Sequence, residues 1–192
     1  LNDINNPQPV ALKEWAVAVK ALAEGRQIIV LRKGGIAEET RDFQLVSRRF
    51  YLLPAYEHQR MELLKDDYQD RLKDTLKEAS PDRVRISVCA EVVEDIEIYD
   101  METLDKVREC HIWTDSFAEE RLKWKKKKPL HLLILRIGRL EHPVDIPMRD
   151  AYTGCKSWVT LEDGLQENNI SPVLSDAAFQ EQASRIHHLL NL

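Results

Sequence analysis

Cysteine is scarce and unpaired in this sequence: Cys89, Cys110 and Cys155 are widely spaced, odd in number and contain no Cys-x-x-Cys. That excludes a full disulfide framework and points to free thiols in a reducing, cytoplasmic setting. Long apolar runs are also missing. The longest, Ile28–Leu31 and Leu132–Leu135, are far too short to cross a bilayer, so no membrane partner is expected. Leu1–Val10 is polar and Asn-rich, without the basic start and apolar block of a secretory leader. The six histidines are scattered; His187 and His188 are adjacent and on a helix point about 100° apart, so no metal site is expected. No G-x-G-x-x-G, nucleophile elbow or H-E-x-x-H occurs, and no cofactor is expected. Gly154-Cys155-Lys156-Ser157 lacks the spacing of a phosphate loop, and no Asp or Glu stands two residues before any Lys, as the nuclease pattern after Pro81-Asp82 would require.

What is present is charge. Of the 192 residues 32% are charged and 43% hydrophobic, a balance that suits one globular domain with well-solvated helices. The net charge of −5 gives no overall attraction to nucleic acid. The cations are unevenly placed, however, and Arg121–Lys128 holds six of them with Trp124. This tract reads either as a phosphate-binding patch or as a helix end whose cations complement the dipole before Pro129.

Periodicity orders the elements. Leu12, Trp15, Ala16, Val19 and Leu22 form a helical stripe ended by Gly25. Gln27–Leu31 predicts a buried strand, Gly34-Gly35 a turn, and Phe50–Leu53 a strand closed by Pro54. Met61, Leu64, Tyr68, Leu72 and Leu76 predict a long charged amphipathic helix with one narrow seam, and residues 58–79 read as a helical insertion. From Arg83 the period becomes two, with Val84, Ile86, Val88, Ala90 and Val92 on the core side. Asp100 is expected to cap a short helix and Ser116-x-x-Glu119 to open the next. Leu130–Ile137 should be the most buried strand and Cys155–Leu161 the last, before a helix capped by Ser175. Unequal helices between strands indicate a single α+β domain over residues 1–192.

The blocks Glu14–Leu22, Leu31-Arg32-Lys33-Gly34-Gly35-Ile36, Pro54-Ala55-Tyr56-Glu57-His58-Gln59, His111-Ile112-Trp113-Thr114, Lys128-Pro129-Leu130-His131 and Gly154–Val159 resemble a bacterial family of domains of unknown function, number 1802. Ala55 departs from it where a threonine is expected. In the C-terminal half, Val84–Asp100, Leu130–Val144 and Ile170–Ser175 with Phe179 are similar to PUA-like domains of the EVE type. That resemblance implies a small mixed β-barrel or strongly curved sheet flanked by helices, and an RNA- or DNA-binding module that includes modified bases among its ligands.

The candidate ligand residues stand at turns and strand ends. Lys33 beside two glycines offers an ammonium and bare N–H groups to an anion, or is a solvated turn lysine. Tyr56 can stack a base while Glu57 or Gln59 reads its edge; alternatively Glu57 or His58 caps the helix. Trp113 is a stacking platform or core. Lys156 and Trp158 share a strand face, as in a nucleic-acid groove. Arg136, inside the most apolar strand, must be paired, by Glu91 or Glu57, or reach a ligand. Lys33, Tyr56, Glu57, His58 and Lys156 are expected to meet in one cleft. Two other readings remain: a small-molecule hydrolase using Glu57, His58 and Lys33, or a protein-interaction component of a defence or stress operon that docks partners on the Met61–Leu76 helix.

Overall fold

The structure, a computed structural model, describes residues 9–33, 45–124, 128–163, 165 and 169–192. It is a mixed α+β fold. Strands β1 (Val10–Trp15), β2 (Ile29–Arg32), β3 (Arg49–Ala55), β4 (Arg83–Ile98), β5 (Leu130–Pro147), β6 (Trp158–Thr160) and β7 (Ile170–Pro172) form one sheet. The helices are α1 (Ala16–Ala23), α2 (Asp66–Glu78), α3 (Met101–Lys106), α4 (Asp115–Lys123) and α5 (Asp176–Leu190). The strand order is β2-β5-β4-β3-β1-β6, with β7 on β5; β1 and β3 run parallel and the other pairs antiparallel.

Two register shifts in the long β4–β5 ribbon sort its side chains between cores. Between Ile86 and Val88 the partner strand advances from Val144 to Arg139, and between Val92 and Glu94 it moves only from Leu135 to Ile134. A bulge reverses which side a given parity faces. Val84 and Ile86 therefore join one core with Ala11, Ile146 and Tyr152, while Val88, Ala90 and Val92 join another. Beyond the second bulge Ile98, with Ile96 against it, turns to the helix-covered core of α3, α4 and α5. The five residues expected on the core side of β4 are all buried, as the alternation predicts, but they serve two different cores, and Ile98 serves a third.

The middle core contains Leu12 of β1, Val30 of β2, Phe50 and Leu52 of β3, and Leu133, Leu135 and Ile137 of β5, with Val19 and Leu22 of α1. These residues line the inside of a curled sheet. In a flat sheet the four inter-strand steps from β2 to β1 would span about 19 Å. Instead Arg32 at the end of β2 donates to the Lys13 carbonyl of β1 at 3.1 Å and to the Ser157 hydroxyl just before β6 at 2.7 Å. The sheet is not closed into a barrel: among the described residues no backbone pairing joins β2 to β6, and a side chain spans the gap.

Several expectations need correction. Leu12 lies in a strand, because residues 10–15 pair with both β3 and β6, and the helix starts only at Ala16. Pro54 does not close β3; it pairs opposite Glu14. β4 pairs only with Arg49–Tyr51, so the missing N–H of Pro54 breaks no ladder on that side. The long seam helix is shorter than its pattern. Met61–Leu63 is a 3-10 turn, Leu64 bridges to Trp113, and α2 begins at Asp66. Leu72 is buried within this protein's own core, whereas Leu76 is 48% exposed. Thr114, not Ser116, caps α4 by accepting from the Phe117 N–H. Ile170–Pro172 follows the strand expected to be last. Asp100 and Ser175 cap α3 and α5 as expected. The Gly34-Gly35 turn and Lys125–Lys127 of the basic tract lie outside the described residues. No helix among the described residues is long and apolar enough to cross a membrane.

Candidate functional site: a cationic mouth of the curled sheet

Strand parity sets the floor of the site. Glu14 lies two residues beyond Leu12, and Arg32 two beyond Val30, so both point to the inner side of the curl at one end of the middle core. Glu14 is 5% and Arg32 9% exposed. The Glu14 Oε1 accepts from the Trp15 N–H at 2.8 Å, and its Oε2 accepts from the Arg32 Nη1 at 3.2 Å. The Arg32 Nε is fully buried and has no hydrogen-bond partner among the described residues. Across the strand pair, His131 stands opposite Arg32 and holds Asp95, Nδ1 to Oδ1, at 2.9 Å.

Around this pair stand more cations than anions. Lys33 is 3% exposed, and its ammonium donates to the Leu122 carbonyl at the end of α4. Burial pushes the Lys33 amine down from its ordinary value. Arg121 lies over the Phe117 ring, 5.0 Å from its centroid. Burial lowers its pKa, and the nearby Arg32 adds to that, while Glu14 and Glu120 oppose it. Arg121 makes no hydrogen bond or ion pair among the described residues; Glu120 is engaged by Arg60 at 3.4 Å. On the rim Lys13 donates to the Gly154 carbonyl at 2.6 Å. Its pKa is lowered by burial, with Glu57 and Cys155 pulling the other way and Lys156 and Arg32 reinforcing the shift.

The sequence-derived candidates meet only in part. Glu57 and Lys156 come together around Lys13, whereas Lys33 is held at the Leu122 carbonyl of α4. Tyr56 is turned elsewhere: burial raises its pKa, and its charged neighbours are Glu78 and Arg85. His58 is exposed at a turn with φ 62°, the left-handed region. The Lys33 ammonium of the hydrolase grouping faces the Leu122 carbonyl. Trp113 is 0% exposed and stacks on Phe117 with centroids 4.8 Å apart; it is core, not a platform for a base. Arg136 pairs with Asp176 of α5, not Glu91 or Glu57, and lies 4.5 Å from the Phe179 ring centroid.

Gln59 is a helix cap. Its Oε1 accepts from the Val17 N–H at 3.0 Å, occupying a donor that the first turn of α1 cannot satisfy internally. Replacing Gln59 with Ala is expected to cost about 1 kcal/mol in urea unfolding, a typical cap contribution, and to leave ligand affinity unchanged. A loss of affinity without loss of stability would return Gln59 to the binding surface.

Lys13, Glu14, Arg32, Arg121 and Ser157 were not legible as site residues. Arg32 carries the one available signal, a charge placed immediately after the apolar run Ile28–Leu31. Glu14 was hidden by reading its strand as helix.

The fold and site together define a curled, open, mixed-sheet domain with a buried Glu–Arg pair at a cationic mouth. The chain belongs to the family described as Domain of unknown function (DUF1802), which matches residues 11–185. No curated protein matches it. No solved structure matches it either, so the PUA-like resemblance of the C-terminal half gains no support.

Proposed function

We propose that this domain is a nucleic-acid-binding module that takes phosphate at the mouth of the curled sheet. The supporting observation is local charge surplus. Among the described residues Lys13, Arg32, Arg121 and Lys156 gather around two carboxylates, Glu14 and Glu57, in a chain whose net charge is −5. Cations gathered against the overall sign create a local field that attracts phosphate and displaces its counterions. The exposed Lys156 and partly buried Lys13 can meet a backbone, and Arg32 can supply the donor that its own fold leaves unused. The PUA-like form of this reading, with a modified base as the recognised group, draws on the resemblance of β4 and β5. A cytoplasmic setting suits it, since Cys89, Cys110 and Cys155 are all free.

The test is fluorescence anisotropy with labelled single-stranded RNA and duplex DNA across a salt series. Each phosphate contact contributes about −0.7 to the slope of log K on log salt for a single strand and about −0.9 for duplex. Lys13→Ala with Lys156→Ala is expected to reduce the slope by about two such contacts, with little change in melting temperature. Affinity indifferent to salt, or a slope unaffected by both substitutions, removes the mouth as the phosphate surface.

A further inference from the structure

We infer that Met61–Lys65, the lead-in to α2, is an acid-released clasp: protonation of His111 detaches it, together with α2, from residues His111–Thr114 and uncovers Leu63, Leu64 and Trp113. Three observations carry it.

The first is a buried base with nothing to hold a second proton. Among the described residues neither nitrogen of the His111 ring has a hydrogen-bond partner, and the Trp113 Nε1–H beside it has none either. A neutral imidazole leaves one donor and one acceptor unpaired; an imidazolium would leave a charge and two donors. The charged and titratable groups at this junction come from four elements. The clasp brings Lys65, whose ammonium donates to the His111 carbonyl at 2.9 Å and to the Arg108 carbonyl, 4.0 Å from Glu109. The 3-10 turn Arg108–Cys110 brings Glu109, Cys110 and Arg108, the last paired with Asp105 and with Asp115 of α4. From α5 the charge of Arg185 reaches Cys110. Among the described residues the charge acting on the imidazole itself is that of Lys65, so protonation sets two cations against each other across the clasp.

The second is the slightness of the junction. Leu64 and Trp113 form an isolated antiparallel bridge, flanked by the Lys65 N–H to the Ile112 carbonyl at 3.0 Å and the Thr114 N–H to the Leu63 carbonyl at 2.9 Å. Those two amides report directly on whether it is closed.

The third is unequal anchorage. On its far side the Ile112 N–H donates to the Gln27 Oε1 at 3.0 Å, and Gln27 donates to the Ile29 carbonyl at 2.9 Å, both within the interior. Thr114 is fixed as the cap of α4. Beyond the clasp, by contrast, α2 buries only Leu72 and Thr75 of its thirteen residues. The part with fewer buried contacts is the part that opens. The closed form holds a neutral ring and the open form restores its ordinary basicity, near 6.5. Opening is therefore least above pH 6.5 and grows as pH falls towards about 4, where the closed form takes up the proton as well.

The experiment is amide hydrogen exchange on the whole chain by NMR, from pH 7 to 5, with and without low urea. The reporters are the Lys65 and Thr114 N–H groups. The reference is the Leu135 N–H, which donates to the Ile28 carbonyl at 2.7 Å in the middle core. After correction for intrinsic rates, the reporters are expected to exchange about tenfold or more faster than Leu135, with little urea dependence. They should accelerate about twentyfold between pH 7 and 5, and His111→Phe should abolish that acceleration. His111→Leu gives the same readout if the larger ring prevents folding. Reporters that exchange in step with Leu135, with the same urea dependence, would overturn the clasp, since acid would then act only through global unfolding. Fast reporters that do not accelerate with acid, or that still accelerate in the His111 variants, overturn it equally.

Discussion

Replacing Arg32 with methionine is expected to destabilise the protein by about 3–5 kcal/mol, because it strands the Glu14 carboxylate in the interior. Glu14 is 5% exposed; without Arg32 it keeps, among the described residues, the 2.8 Å hydrogen bond from the Trp15 N–H and the charge of Arg121. The same substitution deprives Ser157 of its 2.7 Å partner and removes the side chain that ties β2 to β1 and β6. Most of the cost arises from the unpaired charge, so it should be largely relieved in Arg32→Met with Glu14→Leu, where both charges leave together. Urea unfolding of the wild type, both single variants and the double variant forms a cycle whose expected coupling is about 1–3 kcal/mol. If the single substitutions add, Glu14 and Arg32 are not a unit, and the sheet edges are held by something else.

The second large effect is acid instability centred on His111. This imidazole is 5% exposed, and the Trp113 ring centroid is 5.8 Å away. Burial lowers its pKa from 6.5 to about 4; the nearby Lys65 ammonium adds to the shift, and the Trp113 backbone opposes it. Among the described residues neither ring nitrogen has a hydrogen-bond partner. The folded protein therefore holds a neutral ring, while the unfolded chain takes up a proton near pH 6.5. Stability is complete above the unfolded value, begins to fall as pH drops through 6.5, and is lost down to about 4. The full difference is about 3 kcal/mol. His111→Phe should remove this component of the pH dependence between 6.5 and 4, while the carboxylate contributions remain. An unchanged pH profile in that variant would show that His111 is protonated without penalty in the folded state.

Local signals in the sequence read well wherever one segment decides its own structure. Asp100 and Ser175 cap the helices they precede, and Phe179, Ala183, Ile186 and Leu190 form the buried stripe of α5. Leu130–Ile137 is the inner strand because its apolar residues serve cores on both faces. The failures share a different cause. Leu12 and Trp15 fall at helical spacing, but tertiary pairing of residues 10–15 with β3 and β6 overrides the pattern. The parity reversals in β4 arise from bulges set by its partner β5, which no reading of β4 alone reveals. The site was hidden for the same reason. Glu14, Arg32 and Ser157 are 18 and 125 residues apart along the chain, and only the curl of the sheet makes them neighbours. Trp113 and Gln59, each conspicuous in the sequence as a candidate for base contact, are consumed by the core and by the cap of α1.

The most direct measurement of the central claim is the nitrogen NMR signal of the Arg32 and Arg121 Nε–H groups during titration with a phosphorylated oligoribonucleotide. Arg32 is otherwise fixed by Glu14, Ser157 and the Lys13 carbonyl, so its Nε–H is the position where a new acceptor must register. The expected result is saturable movement of both signals with one binding constant, together with slowed hydrogen exchange at Arg32 Nε–H as a phosphate oxygen fills the open position. Oligonucleotide binding that perturbs other arginines while both of these signals stay still would contradict the assignment of the mouth as the phosphate site.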